Sequence, residues 1–202
     1  MLDYGIGNLR SAHKALVRLG APACLVEDPA EVATARGVVL PGVGEFGACA
    51  RALEERGLGE AARRAVAAGV PFLGICVGFQ LLFEESEESP GTPGLGLIAG
   101  RVASLPDGVK RPQMQWNVLE RVPGTTSRFL AGAGAAPWVY FVHSYAPPVV
   151  EGTTAVCDYG GPQCALIERG TLWGAQFHPE KSGNIGLGML ENFVQLCAGE
   201  GA

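Results

Sequence analysis

The chain has no apolar run near the roughly 18 residues that a membrane-spanning helix needs. Its first residues, Met1-Leu2-Asp3-Tyr4-Gly5, carry neither the basic segment nor the apolar core of a secretory signal. Its six cysteines (Cys24, Cys49, Cys76, Cys157, Cys164 and Cys197) include no C-x-x-C pair, and none stands at zinc-finger spacing from a histidine. With no secretory signal, the thiols are expected to stay reduced in a cytoplasmic protein. Five of them are expected to be inert small hydrophobes. Neither a metal nor a cofactor is called for. Positive charge is also short: 15 Lys and Arg stand against 20 Asp and Glu, a net charge of −5, which is no footprint for nucleic acid. Repeats and low-complexity linkers are absent. Histidine is rare, with only His13, His143 and His178, so each candidate base can be weighed singly.

What is present is a folded globular composition, 48% hydrophobic and 17% charged. A chain of 202 residues can bury a large core and points to one domain, residues 1–202. Leu9, Ala12, Leu16 and Leu19 recur at helical spacing, so Asn8 to Leu19 reads as a helix ended by Gly20. Cys24 to Val26 reads as a short strand. Gly37 to Leu40 reads as another, closed by Pro41-Gly42-Val43-Gly44. Helices are expected over Phe46 to Arg56 and Leu58 to Ala68. A strand from Val70 leads into Gly74-Ile75-Cys76-Val77-Gly78, and a helix is expected from there to about Glu85. Short strands are then expected at Leu97 to Ala99, Gly100 to Val102, Trp138 to Val142, Ala155 to Cys157 and Leu172 to Phe177. Gly186 to Leu196 reads as a closing helix. This alternation argues for an α/β fold: a mixed, mostly parallel sheet with helices on both faces. Ligands of open α/β sheets sit at the carboxyl ends of the strands. Pro41 to Gly44, Cys76 and His178 each follow a strand, so all three can meet there.

Small residues two before and two after Cys76 allow the tight strand-to-helix turn that lifts a nucleophile above a sheet. A thiol there faces the free N–H groups of a helix start, which favour its charged form. The plain alternative is a buried structural cysteine beside two packing glycines. His178-Pro179-Glu180 adds a base and a carboxylate two residues apart. Pro179 favours extended backbone at His178, and residues i and i+2 of an extended segment share a face. Glu180 can then orient the imidazole, which takes the thiol proton and later protonates a leaving amine. A hydrogen-bonded loop histidine is the competing reading. His143, in Phe141-Val142-His143-Ser144-Tyr145, is an alternative base with no carboxylate close in sequence. An attacked carbonyl needs an oxyanion hole. Pro41-Gly42-Val43-Gly44 is a candidate, with the N–H of Val77 as second donor, although an ordinary glycine-rich turn explains that segment equally well. Tyr4-Gly5-Ile6-Gly7-Asn8 lacks the third glycine of a dinucleotide fingerprint and reads as a structural or interface turn.

Leu73 to Gln80 together with His178-Pro179-Glu180 resembles the class I (triad) glutamine amidotransferases. Asp3 to Leu9, Pro41 to Gly47, Leu81 to Glu88, Trp116-Asn117 and His178 to Ser182 are similar to the glutaminase subunit of imidazole glycerol phosphate synthase, so the resemblance spans essentially the whole chain. It implies a flavodoxin-like class I amidotransferase fold. It implies that Cys76 attacks the side-chain amide of glutamine to give a glutamyl thioester, with His178 shuttling the proton and Glu180 orienting it. It implies that Gly42, Val43, Gly44, Gln80, Ser144 and Tyr145 surround the glutamine or its oxyanion. The ammonia is expected to pass to a separate (βα)8-barrel cyclase subunit, the partner in a heterodimer. There it reacts with a phosphoribulosyl-formimino-carboxamide ribonucleotide to give imidazole glycerol phosphate and an aminoimidazole carboxamide ribotide, in histidine biosynthesis. Asn8, Trp116, Tyr140 and Lys181 match positions at or near that interface. Such glutaminases are nearly idle until the partner holds its nucleotide, and the Gly42-Val43 segment is the expected bistable element.

Three departures from the pattern stand out. The chain starts almost at Asp3, where relatives carry a longer apolar first strand, so an upstream start is expected. Gln115 stands where a glycine is usual, which puts a local turn in question if that glycine needs positive φ. Phe79 replaces a usual methionine, a tolerable apolar exchange. Rival readings are a triad amidotransferase serving another synthase, a peptidase or γ-glutamyl hydrolase active alone, and a non-catalytic regulatory subunit. Activation by a barrel cyclase separates the first two from the expected function, and the presence of all three triad residues weighs against the third.

Overall fold

A computed structural model describes residues 1–199. The elements follow in chain order: α1 (Leu9–Arg18), α2 (Pro29–Val32), β1 (Val38–Gly42), α3 (Phe46–Glu55), α4 (Leu58–Ala67), β2 (Phe72–Cys76), α5 (Val77–Gln80), β3 (Phe83–Ser86), β4 (Ile98–Ser104), β5 (Gln113–Val118), β6 (Glu120–Arg121), β7 (Trp138–His143), β8 (Tyr145–Ala146), β9 (Thr153–Asp158), β10 (Pro162–Arg169), β11 (Leu172–Ala175) and α6 (Gly183–Ala198), with a 3-10 turn at Pro179–Lys181. The main sheet has the order β1-β2-β11-β10-β9-β6. β1, β2 and β11 run parallel, and β10, β9 and β6 continue antiparallel. Leu2 extends the parallel side, bridging Val26 in parallel and donating its N–H to the Val39 carbonyl at 2.9 Å.

The strands that carry the site are buried on both faces. β1 and β2 have no exposed residue, which is why they read as unbroken apolar runs rather than as alternation. Helices form two packed groups, α1 with α6 and α4 with both α2 and α3. The expected α/β class with a mixed sheet and covering helices is what the chain adopts. One aromatic cluster bears directly on function. Phe129 meets Trp173 edge-on at 5.5 Å, Phe177 lies 5.9 Å from Phe141 and 6.4 Å from Phe129, and Trp173 meets Phe193 at 5.8 Å. These rings anchor Phe177 in the core, and the residues either side of it, Gln176 and His178, therefore point the other way.

Several expectations need correction. The helix after Cys76 ends at Gln80 rather than near Glu85. The chain then turns through Leu81 and Leu82 into β3, which pairs in parallel with β4. Leu81 and Leu82 in that turn and Phe83 at the start of β3 are fully buried, so the apolar run that suggested a helix face is a core-crossing segment. The two short strands expected at Leu97 to Val102 are the single strand β4. Cys24 to Val26 contributes one bridge at Val26 and no strand. β5 and β10 were not expected. β5 pairs antiparallel with β7, and Gln115 sits opposite Phe141 inside that ladder. Among the described residues only Cys76 is a non-glycine with positive φ, so Gln115 occupies an ordinary strand position and no turn is disturbed. Phe79 is fully buried, and Gly174 makes room for it: a Cβ on Gly174 would lie 2.0 Å from the Phe79 ring.

Candidate active site

β2 ends at Cys76, whose φ of 55° and ψ of −113° form the sharp elbow. Such a backbone costs a non-glycine residue roughly 1–3 kcal/mol. The flanking glycines are required by close approach. A Cβ on Gly78 would fall 1.9 Å from the Leu40 carbonyl oxygen, and one on Gly74 would fall 2.8 Å from the Gly78 oxygen. Gly42 faces the same constraint, 2.6 Å from the Gly78 nitrogen. The three glycines let β1 and the elbow touch through backbone, which brings the Pro41 to Gly44 segment beside Cys76; in the ladder Gly42 is the register partner of Cys76.

From the far side of the sheet, β11 runs on into Gln176-Phe177-His178. His178 is extended at φ −100° and ψ 95°, as Pro179 requires. Glu180, however, lies in a 3-10 turn rather than an extended segment. The turn still delivers its carboxylate, which accepts from His178 Nδ1 at 2.8 Å. The two side chains are 2% and 3% exposed, so water does not weaken the pair. With a proton on Nδ1, Nε2 is left as the working nitrogen. It has no partner within hydrogen-bonding limits. The Cys76 sulfur is nevertheless near enough to influence it. Burial lowers the pKa of His178, but Cys76 and Glu180 together prevail and hold it up at about 9.

A cavity of about 140 Å³ opens over these groups, lined by Val43, Gly44, Cys76, Val77, Gln80, Glu88, Val142, His143, Ser144, Tyr145 and His178. That is below the roughly 300–1,000 Å³ of drug-sized pockets and suits one small metabolite. Of the residues singled out from sequence, Cys76, His178, Val43, Val77, Gly44, Gln80, Ser144 and Tyr145 meet on this wall; Gly42 does not line it. Glu180 stands behind His178. Trp116, Tyr140 and Lys181 gather elsewhere: Trp116 meets Tyr140 edge-on at 6.3 Å, and the Lys181 ammonium lies 5.9 Å from the Tyr140 ring. Trp116 and Tyr140 belong to an exposed face of the β5–β7 ladder, with Met114 62% and Trp138 53% exposed, and Lys181 reaches it from the Pro179–Lys181 turn. Asn8 heads α1, which touches the Pro179–Lys181 turn, and its side chain accepts from Ser11.

Three site residues went unmarked or underweighted in the sequence. Glu88 is on the cavity wall, its carboxylate accepting the Phe46 N–H at 2.8 Å; burial, with Glu45 nearby, raises its pKa. Its segment carried a family signal but no chemical one. His143 donates from Nδ1 to the Tyr145 carbonyl at 2.9 Å, which leaves Nε2 as an unpaired acceptor at the cavity. Burial lowers its pKa to about 4, with His178 adding to the effect, so its imidazole is a weak base and poorly matched to taking a proton from a thiol. Gln176 is fully buried against both Cys76 and Gln80, and nothing but its place two residues before His178 hinted at that. Among the other cysteines, burial pushes the thiol of Cys49 to about 11 and those of Cys157 and Cys164 to about 12. Tyr4 braces the Pro41 to Gly44 segment from below, donating to the Pro41 carbonyl at 2.7 Å.

The chain matches the class-I glutamine amidotransferase family over residues 1–196. It is 49% identical to the imidazole glycerol phosphate synthase subunit HisH of Symbiobacterium thermophilum, over 97% of this chain and 92% of that one. It is likewise 49% identical to the HisH subunit of Deinococcus radiodurans, over 98% and 93%, and 47% identical to that of Methanothermobacter thermautotrophicus, over 97% of each. Among solved structures, a crystal structure of a glutamine amidotransferase superposes with a TM-score of 0.76 at 23% identity, covering 98% of this chain and 97% of the other, a likeness of fold.

Proposed function

Since this chain belongs to the class-I glutamine amidotransferases, and within them to the family of imidazole glycerol phosphate synthase subunit HisH, we propose that it hydrolyses glutamine through Cys76, His178 and Glu180 and passes the ammonia to a (βα)8-barrel cyclase subunit. The observation that carries the triad is the buried 2.8 Å contact of His178 with Glu180, on a cavity whose floor is the strained Cys76 elbow.

The steps follow from that arrangement. With His178 holding the proton at Nε2, as its raised pKa beside Cys76 and Glu180 favours, Cys76 Sγ attacks the side-chain amide carbon of glutamine. The carboxylate of Glu180 holds the ring orientation and stabilises the imidazolium. Charge gathers on the amide oxygen, where the backbone N–H groups of Val43 and Val77 are the donors at hand. The tetrahedral intermediate collapses as the nitrogen takes the proton back from His178 and leaves as ammonia. A glutamyl thioester remains on Cys76. Water, deprotonated by His178, then releases glutamate and restores the thiol. The rest of the cavity fits the substrate's two ends. Glu88 offers a carboxylate to the α-ammonium group, while Gly44, Gln80, Ser144 and Tyr145 supply polar contacts around it.

The exposed face at Met114, Trp116, Trp138 and Tyr140, with Lys181 beside it, is the proposed contact with the cyclase, and Asn8 joins it from α1. Exposed aromatic and methionine side chains of this kind are typical of an interface core. No helix among the described residues is long and apolar enough to cross a membrane. Glutamate release, measured with and without a barrel cyclase loaded with its nucleotide, tests the assignment. Activation by the loaded partner supports it. Full turnover by the chain alone contradicts it and favours a free-standing hydrolase.

A further inference from the structure

Gln176 is wholly buried, yet it makes polar contacts on two sides. Its Nε2 group points to the Cys76 sulfur at 3.8 Å. Its Oε1 accepts from Gln80 Nε2 at 3.1 Å, and the same Gln80 nitrogen donates to the Tyr145 carbonyl at 2.8 Å. The Gln176 backbone is itself pinned, donating to the Ala165 carbonyl at 2.9 Å. Cys76 faces one acceptor as well, the Val142 carbonyl at 3.8 Å. When the sulfur loses its proton it can no longer donate to Val142, and an N–H donor then gains importance. Hydrogen bonds to the charged form of a group favour that form.

We propose that Gln176 is a positioning residue of the amidase reaction: its amide N–H holds the Cys76 sulfur while its carbonyl holds Gln80, tying nucleophile and substrate contact into one buried relay. The relay extends the reading of Cys76 as nucleophile and rests on it. Phe177, locked in the aromatic cluster, fixes the side of the segment from which Gln176 and His178 both approach the sulfur. The two arms of the amide are chemically separable. Gln176→Glu keeps an acceptor for Gln80 and removes the donor to sulfur. Gln176→Met removes both.

The test is alkylation by iodoacetamide at pH 7.5 followed by peptide mapping, with exposed Cys24 as the internal standard. Steady-state glutaminase kinetics of the same proteins with the barrel cyclase accompany it. Relative to Cys24, alkylation of Cys76 is expected to fall about 10-fold or more in both variants, the size of a lost hydrogen bond to a charged group. The kinetic constants are expected to divide: Gln176→Glu lowers kcat with KM near wild type, and Gln176→Met lowers kcat and raises KM, because only there is Gln80 released. Wild-type alkylation in Gln176→Glu, or the same KM change in both variants, overturns the relay. In case neither variant folds, the side-chain amide resonances of Gln176 in the 15N-labelled wild-type protein must shift on alkylation of Cys76; unmoved resonances overturn the proposal equally. Cys76→Ala separates the two levels. Retained turnover in that variant defeats the nucleophile itself, whereas a dead Cys76→Ala beside a normally alkylated Gln176→Glu defeats only the role of Gln176.

Discussion

Gly78→Ala is a single methyl placed where the fold has no space. The added Cβ would lie 1.9 Å from the Leu40 carbonyl oxygen and 2.8 Å from its carbon. Ordinary contact is reached only if β1 and the elbow move apart by over an ångström, because the obstacle is backbone and not a flexible side-chain tip. Overpacking of this kind costs about 1–3 kcal/mol. For a domain of this size that lowers Tm by roughly 2–12 °C. The catalytic loss should be larger than the stability loss. β1 carries Gly42 and leads to Val43 and Gly44, so separating it from the elbow moves the proposed oxyanion donor at Val43 away from Cys76. A displacement of about 1 Å costs on the order of 100-fold in rate. Thermal unfolding by circular dichroism and partner-activated glutaminase turnover measure the two effects. Gly188→Ala is the matched control, since a Cβ on that α6 residue meets nothing within 4 Å. It is expected to keep full activity and to gain about 0.5–1 kcal/mol from helix propensity. A Gly78→Ala protein with wild-type Tm and turnover would refute the close-approach argument.

Other outcomes follow from the same geometry. Glu180→Gln keeps a hydrogen-bond acceptor for His178 but removes the charge, so kcat is expected to fall roughly 100-fold or more with KM little changed, as stopped assays with the loaded cyclase would show. His178 has a raised pKa, so its contribution to stability is present below about pH 6.5 and is lost as pH rises through about 9; urea titrations at pH 7 and 9.5 should show that loss shrink in Glu180→Gln. His143 has the opposite sign. Held neutral in the fold, it contributes stability above pH 6.5 that is lost as pH falls toward about 4, on the order of 3 kcal/mol in all. Urea unfolding at pH 7 and 4.5 should be less acid-sensitive in His143→Gln than in wild type, and equal slopes would count against the buried neutral imidazole. Phe177→Ala removes a ring from the cluster that orients Gln176 and His178. A loss of about 3–5 kcal/mol in chemical denaturation is expected, and less than 1 kcal/mol would mean that the cluster does not anchor the segment.

How far the sequence could be read depended on what each residue had to do. The elbow was legible because sterics leave no alternative: Gly74 and Gly78 are fixed by backbone contacts that any side chain would break. His178 and Glu180 were legible because proline and a two-residue spacing confine them, even though Glu180 reaches the ring from a 3-10 turn rather than from extended backbone. The helix carried too far, to Glu85, shows the opposite case. Phe79, Leu81, Leu82 and Phe83 form an apolar run that helical and core-crossing segments share, and the burial that distinguishes them is tertiary. β5 was hidden although Met114, Trp116 and Val118 alternate with Gln113, Gln115 and Asn117: the burial is inverted, with Gln113 buried against Cys157 of β9 while Met114 and Trp116 are exposed. Gln176 and Glu88 were missed for a related reason. A glutamine or a glutamate in a short strand or loop has no local mark of its partner, and the partners here lie 100 and 42 residues away.

Cys76 is the proposed nucleophile of the covalent step, served by His178 and Glu180. Peptide mapping of enzyme quenched in acid during turnover with glutamine and the loaded cyclase tests it most directly. A glutamyl group is expected on the peptide that contains Cys76, absent in Cys76→Ala and in His178→Ala. A glutamyl group on another cysteine such as Cys49, or full turnover by Cys76→Ala, would contradict it.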